Sequence, residues 1–240
     1  MSDRATVVSD RVTVEYRLRL TIPRPDPASY ASFHSYAAAN ISDAFFKRQT
    51  LPHHIKPIYA GCPGIVGPAI TAQVTPGDEL LALKAIEIAE PGDVIVVVGA
   101  FSPRFCLWGG IMSTMAKARG VAGLITDGLV RDVDETRRAG FAIYAAGVTP
   151  LAPCMNVPPG ELNYPIVFGT AEICPGDLMV ADEDGVVCVP QEQIAAVDAA
   201  VQARMEKERG WHREIERTRG MILKDTVDKL LAARTTHIES

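Results

Sequence analysis

The residues able to do chemistry gather in one stretch, which opens on Gly109-Gly110-Ile111-Met112 and closes on Asp127-Gly128-Leu129-Val130-Arg131-Asp132. A glycine pair at a helix start frees backbone amides where aligned peptide dipoles favour an anion. The amides of Gly109, Gly110, Ile111 and Met112 would suit a substrate carboxylate. The apolar run 122–126 reads as a short buried strand that delivers Asp127-Gly128, a tight turn, with Arg131-Asp132 just beyond it. An arginine beside an aspartate at that point can serve a metal with the carboxylate and an oxyanion with the guanidinium. Strand ends of α/β sheets are where ligands usually bind. Asp132 also reads as a helix N-cap before Val-Asp-Glu-Thr-Arg-Arg, and Arg131 as a surface loop arginine. Glu135 falls on the helical face of Asp132, as a second carboxylate of the site or as part of a solvated face. Trp108 offers an apolar wall beside the anion site.

The elements that must position these residues follow from periodicity. Residues 7–22 alternate as a strand, prolines 23, 25 and 27 interrupt it, and 29–39 reads as a helical stretch. Ser42 or Asp43 is placed to cap a second short helix through Lys47, before a loop holding His53-His54. No third ligand lies near that pair at zinc-site spacing. From Ile65 onward strands and helices alternate: strand 66–74, helix 79–89, strand 94–98, helix 113–119. Pro-Gly-Asp recurs at 76–78, 91–93 and 175–177 as turn punctuation. Strands 178–181 and 186–189 flank Asp182-Glu183-Asp184-Gly185, a hairpin signal rather than a cation site. Ile194, Val197, Val201 and Met205 then mark one face of a long C-terminal helix. Its later half is charged yet holds Trp211 and Ile215, which fits packing on a neighbouring subunit.

Composition narrows the function classes. The 240 residues are 48% hydrophobic and 22% charged, enough to bury a sizeable core. The net charge of −5, with no block of like charges, argues against nucleic acid. No apolar run reaches membrane-spanning length and the start lacks a signal-peptide core, so the expected compartment is the cytoplasm and no membrane partner is expected. Five cysteines, widely spaced and without a CxxC pair, argue against a disulfide framework or zinc knuckle and read mostly as small buried hydrophobes.

The blocks Gly109-Gly110, Ala116-Lys117-Ala118, Gly120-Val121-Ala122-Gly123, Asp127-Gly128 and Arg131-Asp132 resemble the RraA-like superfamily. A second matching block runs through residues 175–190. The superfamily holds the class II 4-hydroxy-4-methyl-2-oxoglutarate / 4-carboxy-4-hydroxy-2-oxoadipate aldolases and the regulators of RNase E activity. The resemblance implies an α/β protein with a swivelling α/β/β core over residues 41–190. An N-terminal arm and helix would occupy 1–40, and a C-terminal helical extension 191–240. It further implies a homotrimer or homohexamer with sites between subunits. The cofactor would be Mg2+ or Mn2+ held by Asp132, with Arg131 stabilising an enolate oxygen. The amides of residues 109–112 would bind a small 2-oxo acid. Glu206 or Glu208 would reach the site from a neighbouring subunit.

One departure stands out. The aldolases carry Asp or Glu twenty residues before the Arg-Asp pair, and here that position is Gly110. Retro-aldol cleavage needs a base for the hydroxyl proton, whereas decarboxylation of a 2-oxo diacid does not. Glu135 or the neighbour's Glu208 is expected to stand in. The resulting expectation is a metal-dependent carbon–carbon lyase, an aldolase or oxaloacetate-type decarboxylase working through a pyruvate enolate. The alternative is a non-catalytic binding protein like the ribonuclease regulators.

Overall fold

Five consecutive β-branched residues, Val94–Val98, form the central strand of a nine-stranded sheet, and all five are buried. A strand covered on both faces needs no alternating polarity, and this one has none. Val94, Val96 and Val98 pack into one apolar cluster, while Ile95 and Val97 pack into the other. The computed structural model that reveals this describes residues 15–45, 49–99, 104–155, 159–220 and 222–234.

Strands Ile65–Gln73, Val94–Val98, Gly123–Thr126 and Ala142–Ala145 run parallel in that order. Parallel neighbours require crossovers, and helices Leu80–Ile88, Gly110–Ala118 and Val133–Ala139 supply them. Leu81, Ala85, Met112 and Ala116 join the Ile95 and Val97 side. On the opposite face lies a small antiparallel pair, Ile166–Phe168 with Ala171–Ile173. The result is the expected α/β fold: a helical layer, a mixed sheet with a parallel centre and a second β layer. The predicted hairpin is present as Leu178–Asp182 with Gly185–Val189, joined antiparallel to Ile65–Gln73.

Three short strands went unpredicted, and they matter most for the site. After Val94–Val98, Gly123–Thr126 and Ala142–Ala145 the chain makes Cys106–Trp108, Leu129–Val130 and Gly147–Val148. These pair parallel as a separate three-stranded sheet with Leu129–Val130 in the middle. Strands of two or three residues are too short to carry a period, so only pairing between distant segments defines them.

Beneath that sheet lies a buried polar link. Trp108 stacks on Phe141 with centroids 5.8 Å apart, and its Nε1 donates to Ser113 Oγ at 2.9 Å. Ser113 Oγ also lies 2.9 Å from Thr136 Oγ1 and 3.1 Å from the Gly109 carbonyl. One hydroxyl therefore joins the strand before Gly109 to the Gly110–Ala118 and Val133–Ala139 helices. Trp108 is thus core rather than the pocket wall expected of it, with no exposed surface.

Several boundaries need correction. The strand expected over 7–22 is Tyr16–Leu18 at a sheet edge; residues 7–14 lie outside the described residues. The expected 29–39 helix is a 3-10 segment, Pro27–Ser35, capped by Asp26, followed by an α-helix at Ala38–Ala44. Ser42 and Asp43 sit in the last turn of that helix and cap nothing: Ser42 bonds Thr50, and Asp43 pairs with Arg204. Lys47 lies outside the described residues. The helix expected from Ser113 begins at Gly110, its first turn displaced from apolar spacing by the glycine.

The Pro-Gly-Asp tripeptides share one device. Their aspartates Asp78, Asp93 and Asp177 are buried, and each accepts a nearby backbone N–H. Asp93 also receives both Nε and Nη2 of Arg24, which pins the N-terminal segment to the core. At the other end, helix Ile194–Thr218 buries only Ile194, Val197 and Val201. Arg219 ends it in the left-handed region before a further helix, Lys224–Ala232. Among the described residues no helix is long and apolar enough to cross a membrane.

Replacing Ser113 by alanine leaves the Trp108 indole N–H buried without its acceptor. We expect a loss of about 1–3 kcal/mol in chemical denaturation. Unchanged stability would mean that the link holds nothing together.

Candidate functional site

The three short parallel strands end side by side, and the chain leaving each one contributes to a single place. Gly109-Gly110 follows Cys106–Trp108, Arg131-Asp132 follows Leu129–Val130, and Thr149-Pro150 follows Gly147–Val148. The Arg131 amide donates to the Trp108 carbonyl at 2.9 Å, and the Thr149 amide to Val130 at 3.0 Å, which locks the three turns in register. A cavity of about 300 Å³ opens there, lined by Arg131, Asp132, Val133, Val148, Thr149 and Pro150. Thr149 and Pro150 carried no motif and were missed; the only signal, Gly147 before a short apolar step, was too weak to place a strand.

Asp132 has the helix-start position that a cap would have, but it does not cap. Its φ of 58° and ψ of 45° lie in the left-handed region, and its side chain makes no capping bond to the Val133–Ala139 helix. Such backbone is costly for a residue with a side chain and persists where surrounding structure imposes it. The carboxylate instead accepts from the Gly110 amide, with Oδ2 at 3.1 Å, and lies 3.4 Å from Arg131 Nε. The Gly110 amide is therefore committed to Asp132 rather than free for a substrate, a correction to the expected anion cradle. The amides of Ile111 and Met112 remain at the open first turn, where a helix offers them no acceptor. Their side chains diverge, Ile111 to solvent and Met112 into the core.

Both glycines leave room for charged side chains. Gly109 has extended backbone and Gly110 is not in the left-handed region, so neither conformation demands glycine. A Cβ on Gly109 would stand 2.8 Å from Asp132 Oδ2 and 3.2 Å from Arg131 Nε. A Cβ on Gly110 would stand 2.2 Å from Glu135 Oε2. The side chains of Arg131, Asp132 and Glu135 fill the room that this bare edge leaves.

Arg131 Nε is buried without a hydrogen-bond partner among the described residues, although its side chain as a whole is partly open. Glu79, half-buried at the start of helix Leu80–Ile88, also feels Arg131. Burial pushes the Glu79 carboxyl up, and the guanidinium opposes the shift. The Cys106 thiol is likewise pushed up by burial, again opposed by Arg131. Sequence reading singled out neither residue for the site, because their sequence distance from Arg131 hid the contact.

The expected residues Gly109, Gly110, Arg131, Asp132 and Glu135 thus come together. Glu208 lies on helix Ile194–Thr218, where Arg204 Nε holds it at 3.1 Å; Glu206 pairs with Arg209 and Arg213. Residues 101–103, upstream of Cys106–Trp108, lie outside the described residues. Leu107 is core. Among the described residues no group of three His, Cys, Asp or Glu side chains forms a metal cage. Of the cysteines, Cys106 and Cys188 are buried, but Cys154 is exposed.

A family model described as Aldolase/RraA matches residues 38–188. The chain belongs to the RraA-like family. A protein of Thermus thermophilus named 4-hydroxy-4-methyl-2-oxoglutarate aldolase is 31% identical over 152 residues, 63% of this chain and 91% of that one. A Halalkalibacterium halodurans protein given the same name provisionally is 38% identical over 161 residues, 67% of this chain and 76% of that one. Among solved structures, Streptomyces coelicolor RraAS2, titled an unusual member of the RNase ES inhibitor RraA family, superposes with a TM-score of 0.68. It is 29% identical, with 81% of this chain and 98% of that one covered. Within this RraA-like chain Asp132 shares left-handed backbone with Gln49, Asn163 and Arg219 among the described non-glycine residues.

The strain at Asp132 has a measurable signature. Asp132→Gly and Asp132→Ala both delete the carboxylate, but only alanine must hold a Cβ in the left-handed region. We expect the alanine variant to be less stable by about 1 kcal/mol in thermal or urea unfolding. Equal stabilities would show that Asp132 is not strained.

Proposed function

We propose that the protein is a divalent-metal-dependent lyase that cleaves a carbon–carbon bond of a 2-oxo acid and releases pyruvate or a related enolate product. The observation that carries this reading is Asp132, held in left-handed backbone with its carboxylate withdrawn from its own helix and set beside an Arg131 nitrogen that lacks a hydrogen-bond partner among the described residues. The aldolase name borne by the Thermus relative supports the same chemistry.

The donor set suits one class of ion. Both polar contacts of Asp132 fall on Oδ2, so Oδ1 has no protein partner among the described residues. Mg2+ or Mn2+, which takes one or two carboxylates and keeps several waters, fits a lone aspartate; a structural zinc, needing four side-chain ligands, does not. When bound, the ion would supply Lewis-acid polarisation of the 2-oxo acid. The Arg131 guanidinium would hold the oxygen on which negative charge develops as the bond breaks. The Ile111 and Met112 amides would orient the substrate carboxylate.

We take the working form as a homotrimer or homohexamer, with Glu208 offered to a neighbouring site. Ile111 and Val148, 72% and 56% exposed beside the cavity, support this, as do Trp211 and Ile215 on the projecting helix. Light scattering should return three or six chain masses; a monomer at micromolar concentration would overturn it.

Metal-stripped protein should release no pyruvate from oxaloacetate or 4-hydroxy-4-methyl-2-oxoglutarate, and added Mg2+ should restore release. Arg131→Ala and Asp132→Ala should each cost at least about 10²-fold in turnover. Near-parental rates in either variant would refute the assignment. The Streptomyces neighbour's title favours a second reading, a ribonuclease-binding protein. Metal-independent capture of a ribonuclease, with no pyruvate release, would support it instead.

A further inference from the structure

Resting on the lyase reading, we infer that Glu135 is the proton-accepting carboxylate of this site, seated in the space that a side chain at position 110 would otherwise fill. Three observations carry the inference. First, Gly110 opens its helix without left-handed backbone, so local conformation does not demand a glycine there. Second, the three atoms nearest to where a Cβ would stand all belong to one side chain, which occupies that space: Glu135 Oε2 at 2.2 Å, Cδ at 2.4 Å and Cγ at 2.8 Å. Third, the Glu135 carboxylate makes no hydrogen bond or ion pair among the described residues, although Arg138 stands three positions on along its helix. Its neighbour Asp134 takes the equivalent partner, Arg137, at 2.6 Å. Glu135 therefore lies over the bare backbone of Gly110, whose amide holds Asp132 Oδ2. Two carboxylates meet at one residue, one bonded to its N–H and the other filling its side-chain space.

The division of labour follows from the chemistry. In cleavage of a 4-hydroxy-2-oxo acid, the hydroxyl proton passes to Glu135 directly or through one water. The hydroxyl-bearing carbon becomes a carbonyl, and the electron pair of the breaking carbon–carbon bond moves into the enolate of the pyruvyl half. That enolate carbon then takes a proton back, so protons and electrons balance. In decarboxylation of oxaloacetate no hydroxyl proton is lost, and Glu135 has nothing to accept.

The test compares both reactions in Glu135→Gln, Gly110→Ala, and the pair Glu135→Ala and Gly110→Asp/Glu135→Ala, with oxalate affinity in the presence of Mg2+ measured by calorimetry. Glu135→Gln should lose about 10²- to 10⁴-fold in kcat on 4-hydroxy-4-methyl-2-oxoglutarate. Its oxaloacetate decarboxylation should stay within about threefold, and its oxalate affinity within about twofold, of the parent. Gly110→Ala should show the same selective loss, because its methyl displaces an intact Glu135. An aspartate at 110 should restore cleavage at least about tenfold over Glu135→Ala. Retained cleavage in Glu135→Gln, or equal loss of both reactions, overturns the inference while leaving the lyase reading standing. An unmodified protein inactive on both substrates overturns the two together.

Discussion

Everything at this site depends on charged side chains packing against a helix start that carries none. The chain leaving Leu129–Val130 meets Gly109-Gly110 through Asp132, Arg131 and Glu135, whose side chains occupy the space that a Cβ on either glycine would take. Alanine at 109 would press on the oxygen of Asp132 that bonds the Gly110 amide, and alanine at 110 would collide with Glu135. The glycine pair is therefore a contact surface for charged side chains more than an anion cradle. One amide is spent holding a protein carboxylate in place.

Holding Asp132 in left-handed backbone requires rigid surroundings, and the core beneath provides them. The Arg131 amide is tied to Trp108, whose ring is stacked on Phe141 and whose N–H is held by Ser113. Ser113 in turn meets Thr136 on the helix that Asp132 begins. The strain at Asp132 and the fully buried link below it thus belong to one unit, formed by residues 108, 109, 113, 131, 132 and 136. A functional carboxylate freed from capping duty is what such a unit would produce, and the proposed lyase chemistry makes use of it.

The RraA-like family covers proteins named as aldolases and others titled as ribonuclease inhibitors, so the fold alone does not choose between catalysis and regulation. The choice rests on the site's residues. The proposed lyase reading rests on a single aspartate with one oxygen free of partners and an arginine nitrogen without a hydrogen-bond partner among the described residues. A surface serving only to bind a protein has no need of that combination.

Much of this was legible in the residues themselves. The strand at Val94–Val98, the 178–189 hairpin and the order of alternating strands and helices follow from apolar runs and turn residues, because those signals are local. Arg131-Asp132 after a buried strand, with Gly109-Gly110 upstream, already marked the candidate site. What only the tertiary structure decided was how those residues meet. The three short strands that align the turns exist through pairing between distant segments. The left-handed backbone at Asp132 is imposed by packing, and the commitment of the Gly110 amide depends on a residue twenty-two positions away. That Glu135, exposed on its helix, also lies beside Gly110 turned on the distance between two helices, a quantity that no local pattern encodes.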